Sequence, residues 1–163
     1  MQRAITAIYP THTGAAQVRD ALERLGMPGG HVHLIPETED SLPEGEHRNL
    51  DAYNPSLHDL HLPEDDMRTY QQAVRNGDYV LSVDVDEAEH LDRIKAIMRD
   101  PGEARDIDAL DTEYAGAKYV PFRHEDRPAY SEDQRGIRDT PQPGERADVR
   151  GYTRAQHMIR PGV

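Results

Sequence analysis

"DYVLSVDVD", residues 78–86, decides the fold class. Tyr79, Leu81, Val83 and Val85 fall on one side of an extended chain, and Val80, Ser82 and Asp84 on the other, the two-residue period of a strand. The apolar side has to be covered, and the sequence on either flank supplies helices. Upstream, in "LPEDDMRTYQQAVRNG", residues 62–77, Pro63 suits a first helical position. Glu64, Asp65 and Asp66 complement the positive end of the helix dipole; Met67, Tyr70 and Val74 make an apolar stripe, and Gly77 is a stop signal. Downstream, Asp86 and Glu89 form a D-x-x-E capping arrangement for a helix over 87–99 whose buried face is Ala88, Leu91, Ile94 and Met98. Pro101 and Gly102 end that helix, and a last strand is expected over about 105–112, "RDIDALDT".

The N-terminal part repeats the alternation. "RAITAIY", residues 3–9, reads as a strand stopped by Pro10. Thr13 suits an N-cap; Val18, Ala21, Leu22 and Leu25 follow at helical spacing, and Gly26 closes the helix. "HVHLIP", residues 31–36, is a second strand with Val32 and Leu34 on one face and His31, His33 and Ile35 on the other. Residues 37–61 carry five acids before Arg48, several turn residues and no clear period, the mark of a connection that is either functional or mobile. The order is strand, helix, strand, inserted helix, strand, helix, strand. Two split βαβ units predict an α+β, ferredoxin-like four-stranded antiparallel sheet with helices on one face and an inserted helix between the halves. A doubly wound parallel sheet is the alternative, and it calls for more continuous apolar strands.

Charge and hydropathy divide the chain. Of its 163 residues, 36% are hydrophobic, and the mean hydropathy is −0.88, polar for a chain packed throughout. Residues 1–115 hold 10 Lys and Arg against 24 Asp and Glu, a net of −14; residues 116–163 hold 9 against 7, a net of +2. The first part predicts one folded domain, 1–115. The second has too few large apolar residues to offset its own ordering entropy and predicts an extended or disordered C-terminal tail, 116–163. The acidic domain repels phosphate backbones, so nucleic acid is a poor partner for it. With no cysteine, disulfides, thiolate catalysis and Cys-rich zinc sites are excluded. The N-terminus lacks a signal-peptide pattern and no stretch approaches the roughly 20 apolar residues needed to span a bilayer, so the expectation is a cytoplasmic protein with no membrane partner.

Three stretches, "TAIYPTHTGAAQVRDALERLGMPGGHVHLI", "LHLPEDDMRTYQQAVRNGDYVLSVDVD" and the helix that follows, resemble the bacterial general stress protein 17M-like domain, the heat-induced stress protein family. The resemblance covers about residues 3–112. It implies a small ferredoxin-like domain associated with stress response, with no agreed catalytic motif and so no functional residues to carry over. The acidic insert at 37–61 and the tail lie outside the matched pattern.

Several groups of residues bear on chemistry. The loop Thr11, His12, Thr13, Gly14 opens a helix, where free backbone N–H groups can hold an anion; a plain helix cap explains the same residues, and there is no G-x-G-x-x-G or Walker pattern. His31 and His33 share a strand face, and His58 and His61 would share a helical face, but these spacings fix no metal site. Glu64, Asp65 and Asp66 point in different directions from one helical turn and cannot pair for catalysis. No serine sits in a nucleophile elbow. What remains is contact surface: His31, His33 and Ile35 on a sheet face left open by the helices, and Tyr119, Phe122, Tyr130 and Tyr152 beside arginines in the tail. The expectation is a non-enzymatic, cofactor-free stress-response protein that forms a homo-oligomer or binds a protein partner, with the tail as a docking arm. The alternative is a small-ligand or metal-binding sensor or enzyme using the Thr11–Gly14 loop or the histidines.

Overall fold

In the computed structural model the described residues are 2–26, 31–40, 42, 46–60, 62–85, 91–99, 104–120, 137–139 and 147–154. The centre of the sheet is β1 (Gln2–Tyr9), flanked by β3 (Tyr79–Val85) and by β5 (Arg150–Arg154). Outside these lie β2 (Val32–Ile35) on β3 and the two-residue β4 (Ile137–Arg138) on β5, giving the order β2-β3-β1-β5-β4 with every neighbouring pair antiparallel. It follows that β1 and β2 run in the same direction with β3 between them, and that β3 and β5 do so with β1 between them. Helix α1 (His12–Arg24) joins the first pair, and α4 (Leu91–Arg99) lies in the connection between the second. The chain is thus α+β on an antiparallel sheet.

Strands β1, β2 and β3 each bury side chains on both faces. Ile5, Ala7 and Tyr9 of β1, Val32 and Leu34 of β2, and Tyr79, Leu81, Val83 and Val85 of β3 pack against Ala15, Val18 and Leu22 of α1 and Ile94 and Met98 of α4. On the opposite face Ile8, Ile35, Val80 and Tyr152 pack against α2 (Asn54–His58), α3 (Glu64–Arg75) and α5 (Ile107–Glu113) through Leu57, Met67, Tyr70, Val74, Ile107 and Leu110. Helices on one face only is therefore corrected to helices on both. The physical reason is visible in β3: Val80 is as buried as Leu81, and the Met67, Tyr70, Val74 stripe of α3 is the surface that covers it.

Three further expectations change. The strand expected over 105–112 is helix α5, because Asp106 caps it, its side chain accepting from the Ala109 N–H at 3.1 Å, and Ile107 and Leu110, three apart, are its buried pair. The strand that pairs with β1 comes instead from the segment assigned to the tail, so the division at residue 115 does not coincide with the edge of the sheet. The cap of α1 is Thr11, whose Oγ1 accepts from the Gly14 N–H at 3.1 Å; Thr13 is exposed inside the helix. The Asp86–Glu89 capping arrangement and Pro101–Gly102 lie outside the described residues.

The acidic insert is held by Arg48. Its side chain is 1% exposed, and its guanidinium donates to the carbonyls of Asp40 (2.7 and 3.0 Å), Val74 (2.9 Å), Asp78 (2.5 Å) and Gly77 (3.1 Å) while lying 4.5 Å from the centre of the Tyr79 ring. A planar five-donor fork suits such a cluster, where a lysine would not. Gly77, at φ +107°, gives α3 the left-handed exit that a side chain would strain.

Candidate functional site

The described strand at one end of the sheet is β2, and its outer edge makes no backbone pairing among the described residues. Three of its four side chains are committed to the core: Val32 and Leu34 toward α1 and α4, Ile35 toward α3. Only His33 has a polar setting. Register places it directly opposite Ser82 of β3 and on the same face as Asp84 two residues on, and its Nε2 lies 3.0 Å from Asp84 Oδ2. The carboxylate accepts, so Nε2–H donates and Nδ1 is left for another group. The two side chains differ in exposure, 41% for His33 and 14% for Asp84, so the pair reaches from the sheet to solvent.

A cleft of about 300 Å³ lies along this edge, lined by all four residues of β2 together with Arg19, Glu37, Ser56, Asp59, Leu60 and Asp84. Among the described residues its charged lining is unequal: three carboxylates against one guanidinium, and Arg19 itself sits 3.8 Å from Asp20. Chemically the arrangement offers a strand edge, an imidazole, and carboxylate acceptors beside aliphatic walls. No family model matches the chain, and no curated protein or solved structure matches it either.

The other residues singled out in the sequence fall elsewhere. At the start of α1 the Gly14 N–H is engaged by Thr11, and His12 Nε2 lies 2.9 Å from the Glu37 carbonyl, its ring edge-on to Tyr79 at 5.5 Å. This helix end therefore spends on its own cap a donor that an anion would need. His31 is half-buried just before β2. Tyr119 is half-buried with its hydroxyl 2.8 Å from His58 Nε2, and Tyr152 is fully buried. Phe122, Tyr130 and His61 lie outside the described residues. Among the described residues no group of three or more His, Asp or Glu is placed to hold a metal ion, and no helix is long and apolar enough to cross a membrane.

The densest polar cluster lies under β5. Tyr152 donates to Asp66 Oδ2 at 2.5 Å and its hydroxyl lies 3.1 Å from that of Tyr70, which is 2.6 Å from Thr6 Oγ1. Arg138 donates to both oxygens of Asp66, and Arg150 donates to Asp108 at 2.6 Å and Asp111 at 2.7 Å. Burial pushes Tyr70 up to about 12 and Tyr152 well above its ordinary value, so both keep their protons at neutral pH. Burial also works to lower Arg150, but its bond to Asp111 and the surrounding acidic groups hold it above the usual arginine value. The cluster therefore acts as a fastening. Asp66, assigned from sequence to the helix dipole, is its hub.

A second fastening holds the chain after α5. Gln71, fully buried, donates to the Val120 carbonyl at 2.7 Å and accepts from the Val120 N–H at 2.9 Å, as a neighbouring strand would.

Proposed function

We propose that the chain is a non-enzymatic stress-response protein of the cytoplasm that acts by self-association or partner binding, and that the surface it uses is the outer edge of β2. The observation that carries this reading is the outer edge of β2, which pairs with no strand among the described residues, at the floor of a cleft. An edge strand is a ready template for a strand from another chain, and proteins that do not use such an edge cover it or guard it with lysine or proline. A role in binding is also supported by where the reactive groups are spent: Asp66, Tyr70, Tyr152, Arg138 and Arg150 hold the sheet together. The strand order β5-β1-β3-β2, with α1 and α4 on one face, supports a ferredoxin-like reading of the core, in which β5 is the fourth strand and α2, α3 and α5 are additions.

Sedimentation of the full chain over a range of concentrations, beside a His33→Lys variant, tests the reading. Lysine on an edge strand opposes edge pairing. Where copies associate through this edge, the variant associates more weakly with an unchanged melting temperature. Equal, concentration-dependent association of the two forms would place self-association away from β2, and a monomer at every concentration leaves partner binding as the role of that edge.

The alternative of a small-ligand sensor or enzyme is favoured at one point, the His33–Asp84 pair with the buried Ser82 hydroxyl, which makes no hydrogen bond among the described residues, on the facing strand. Binding of a small ligand that shifts the His33 ring resonances but leaves β2 amides unchanged would support it over strand addition.

A further inference from the structure

Resting on the reading of β2 as the binding edge, we propose that the segment added there belongs to another protein and is an extended peptide whose Arg or Lys side chain enters the cleft beside His33 and Asp84. A strand laid along β2 turns alternate side chains to the two faces of the sheet. On the face shared by His33 and Asp84, such a side chain meets the cleft. Its volume, about 300 Å³, is at the small end for ligand sites and suits one long side chain. Leu60 and Ile35 offer an apolar wall for an aliphatic stem, and the carboxylates of Glu37, Asp59 and Asp84 in the lining are opposite in sign to the charged head.

Charge also selects between a second copy and a different partner. The chain carries −12 overall, so two copies repel at long range. The segment of opposite sign is 116–163, and two of its eight arginines, Arg138 and Arg150, are engaged with Asp66, Asp108 and Asp111 of their own chain. A basic segment from another protein meets neither obstacle.

The test uses the full chain and labelled heptapeptides of alternating Thr and Val with Arg, norleucine or Glu at the centre. An Arg peptide N-methylated at alternate residues blocks the backbone ladder, and agmatine supplies the guanidinium without a backbone. The Arg peptide is expected to bind about tenfold or more tighter than the norleucine peptide, with the Glu peptide weakest and the N-methylated peptide and agmatine much weaker than the Arg peptide. Asp84→Asn and Glu37→Gln should each shrink the preference for Arg over norleucine while leaving circular dichroism unchanged. Equal binding of the Arg and Glu peptides, or no binding at millimolar concentration, overturns the inference. Equal binding that protects the amides of residues 32–35 removes only the basic side chain and keeps the β2 edge; Arg-peptide binding that leaves those amides unprotected removes both. Agmatine binding as tightly as the Arg peptide would assign the cleft to free cations instead.

Discussion

Tyr152 donates its hydroxyl to Asp66 Oδ2 at 2.5 Å with both side chains buried, which ties a strand near the end of the chain to the first turn of α3. Replacing Tyr152 by Phe keeps the ring in the core but removes the donor. The expected cost is about 1–3 kcal/mol, the penalty for an acceptor left short inside a protein. Urea denaturation at neutral pH measures it, and an unchanged midpoint would mean that the hydroxyl contributes nothing to the fastening.

Truncation after Ala115 is the larger version of the same experiment. It removes β5, and with it the partners of Gln2–Thr6 on β1, and it empties the site of Tyr152. Loss of the aromatic ring alone is expected to cost about 3–5 kcal/mol, so the truncated chain should melt well below the full chain or lose its cooperative transition. The sequence alone led to the opposite expectation, a domain that stays folded without its tail. Equal melting temperatures would restore it.

Acid should act with opposite sign on two carboxylates, the half-buried Asp111 and the buried Asp78. For Asp111, burial raises the pKa, but the hydrogen bonds from Arg150 and Thr69 outweigh it and hold the group below its ordinary value. Its stabilisation is therefore complete above the unfolded value of about 3.9 and is lost as pH falls through the lowered folded value. For Asp78, burial raises the pKa and Arg105 only partly counters it, so the folded chain takes up this proton first and the group's opposition to folding eases on acidification. Asp111→Asn should flatten the loss of stability in acid, and Asp78→Asn should steepen it. Urea midpoints followed from neutral pH down to about pH 3 distinguish the two; curves parallel to the wild type would deny both roles.

The start of α1 gives a paired comparison. Thr11→Ala removes the oxygen that caps Gly14 and should cost about 0.5–2 kcal/mol. Thr13, exposed on the helix, should cost less than about 0.5 kcal/mol when replaced by Ala. Thermal melts that reverse this order would place the cap back at Thr13.

What was legible in the sequence follows period and punctuation. The alternation in residues 3–9 and 78–86, the stripe of Met67, Tyr70 and Val74, and the stops at Gly26 and Gly77 each correspond to an element of the structure. Residues 105–112 read as a strand and form a helix, because Ile107 and Leu110 are too few to separate a period of two from one of three to four, and the cap at Asp106 decides it. Arg150–Arg154 has a single large apolar residue, Tyr152, and its strand exists because β1 offers an edge, which no local pattern announces. The candidate site was half visible. His33 was placed on a strand face, but its contact with Asp84 joins residues 51 apart in sequence through the register of β2 on β3. Ser56, Asp59 and Arg19 enter the cleft from elements whose mutual placement is tertiary. Arg48 reads as one cation after five acids, and its role depends on carbonyls that converge only in the fold.

Amide hydrogen exchange on the full chain, alone and with the central-Arg heptapeptide, tests the binding role of the β2 edge most directly. In the free protein, outward-facing amides within residues 32–35 should exchange faster than those of β1 and β3, and they should slow on binding while the amides of α1 and α4 stay unchanged. Slow exchange along β2 in the free protein, or protection confined to the shallow groove between α1 and α4 around Ala21 and Ile97, would contradict it.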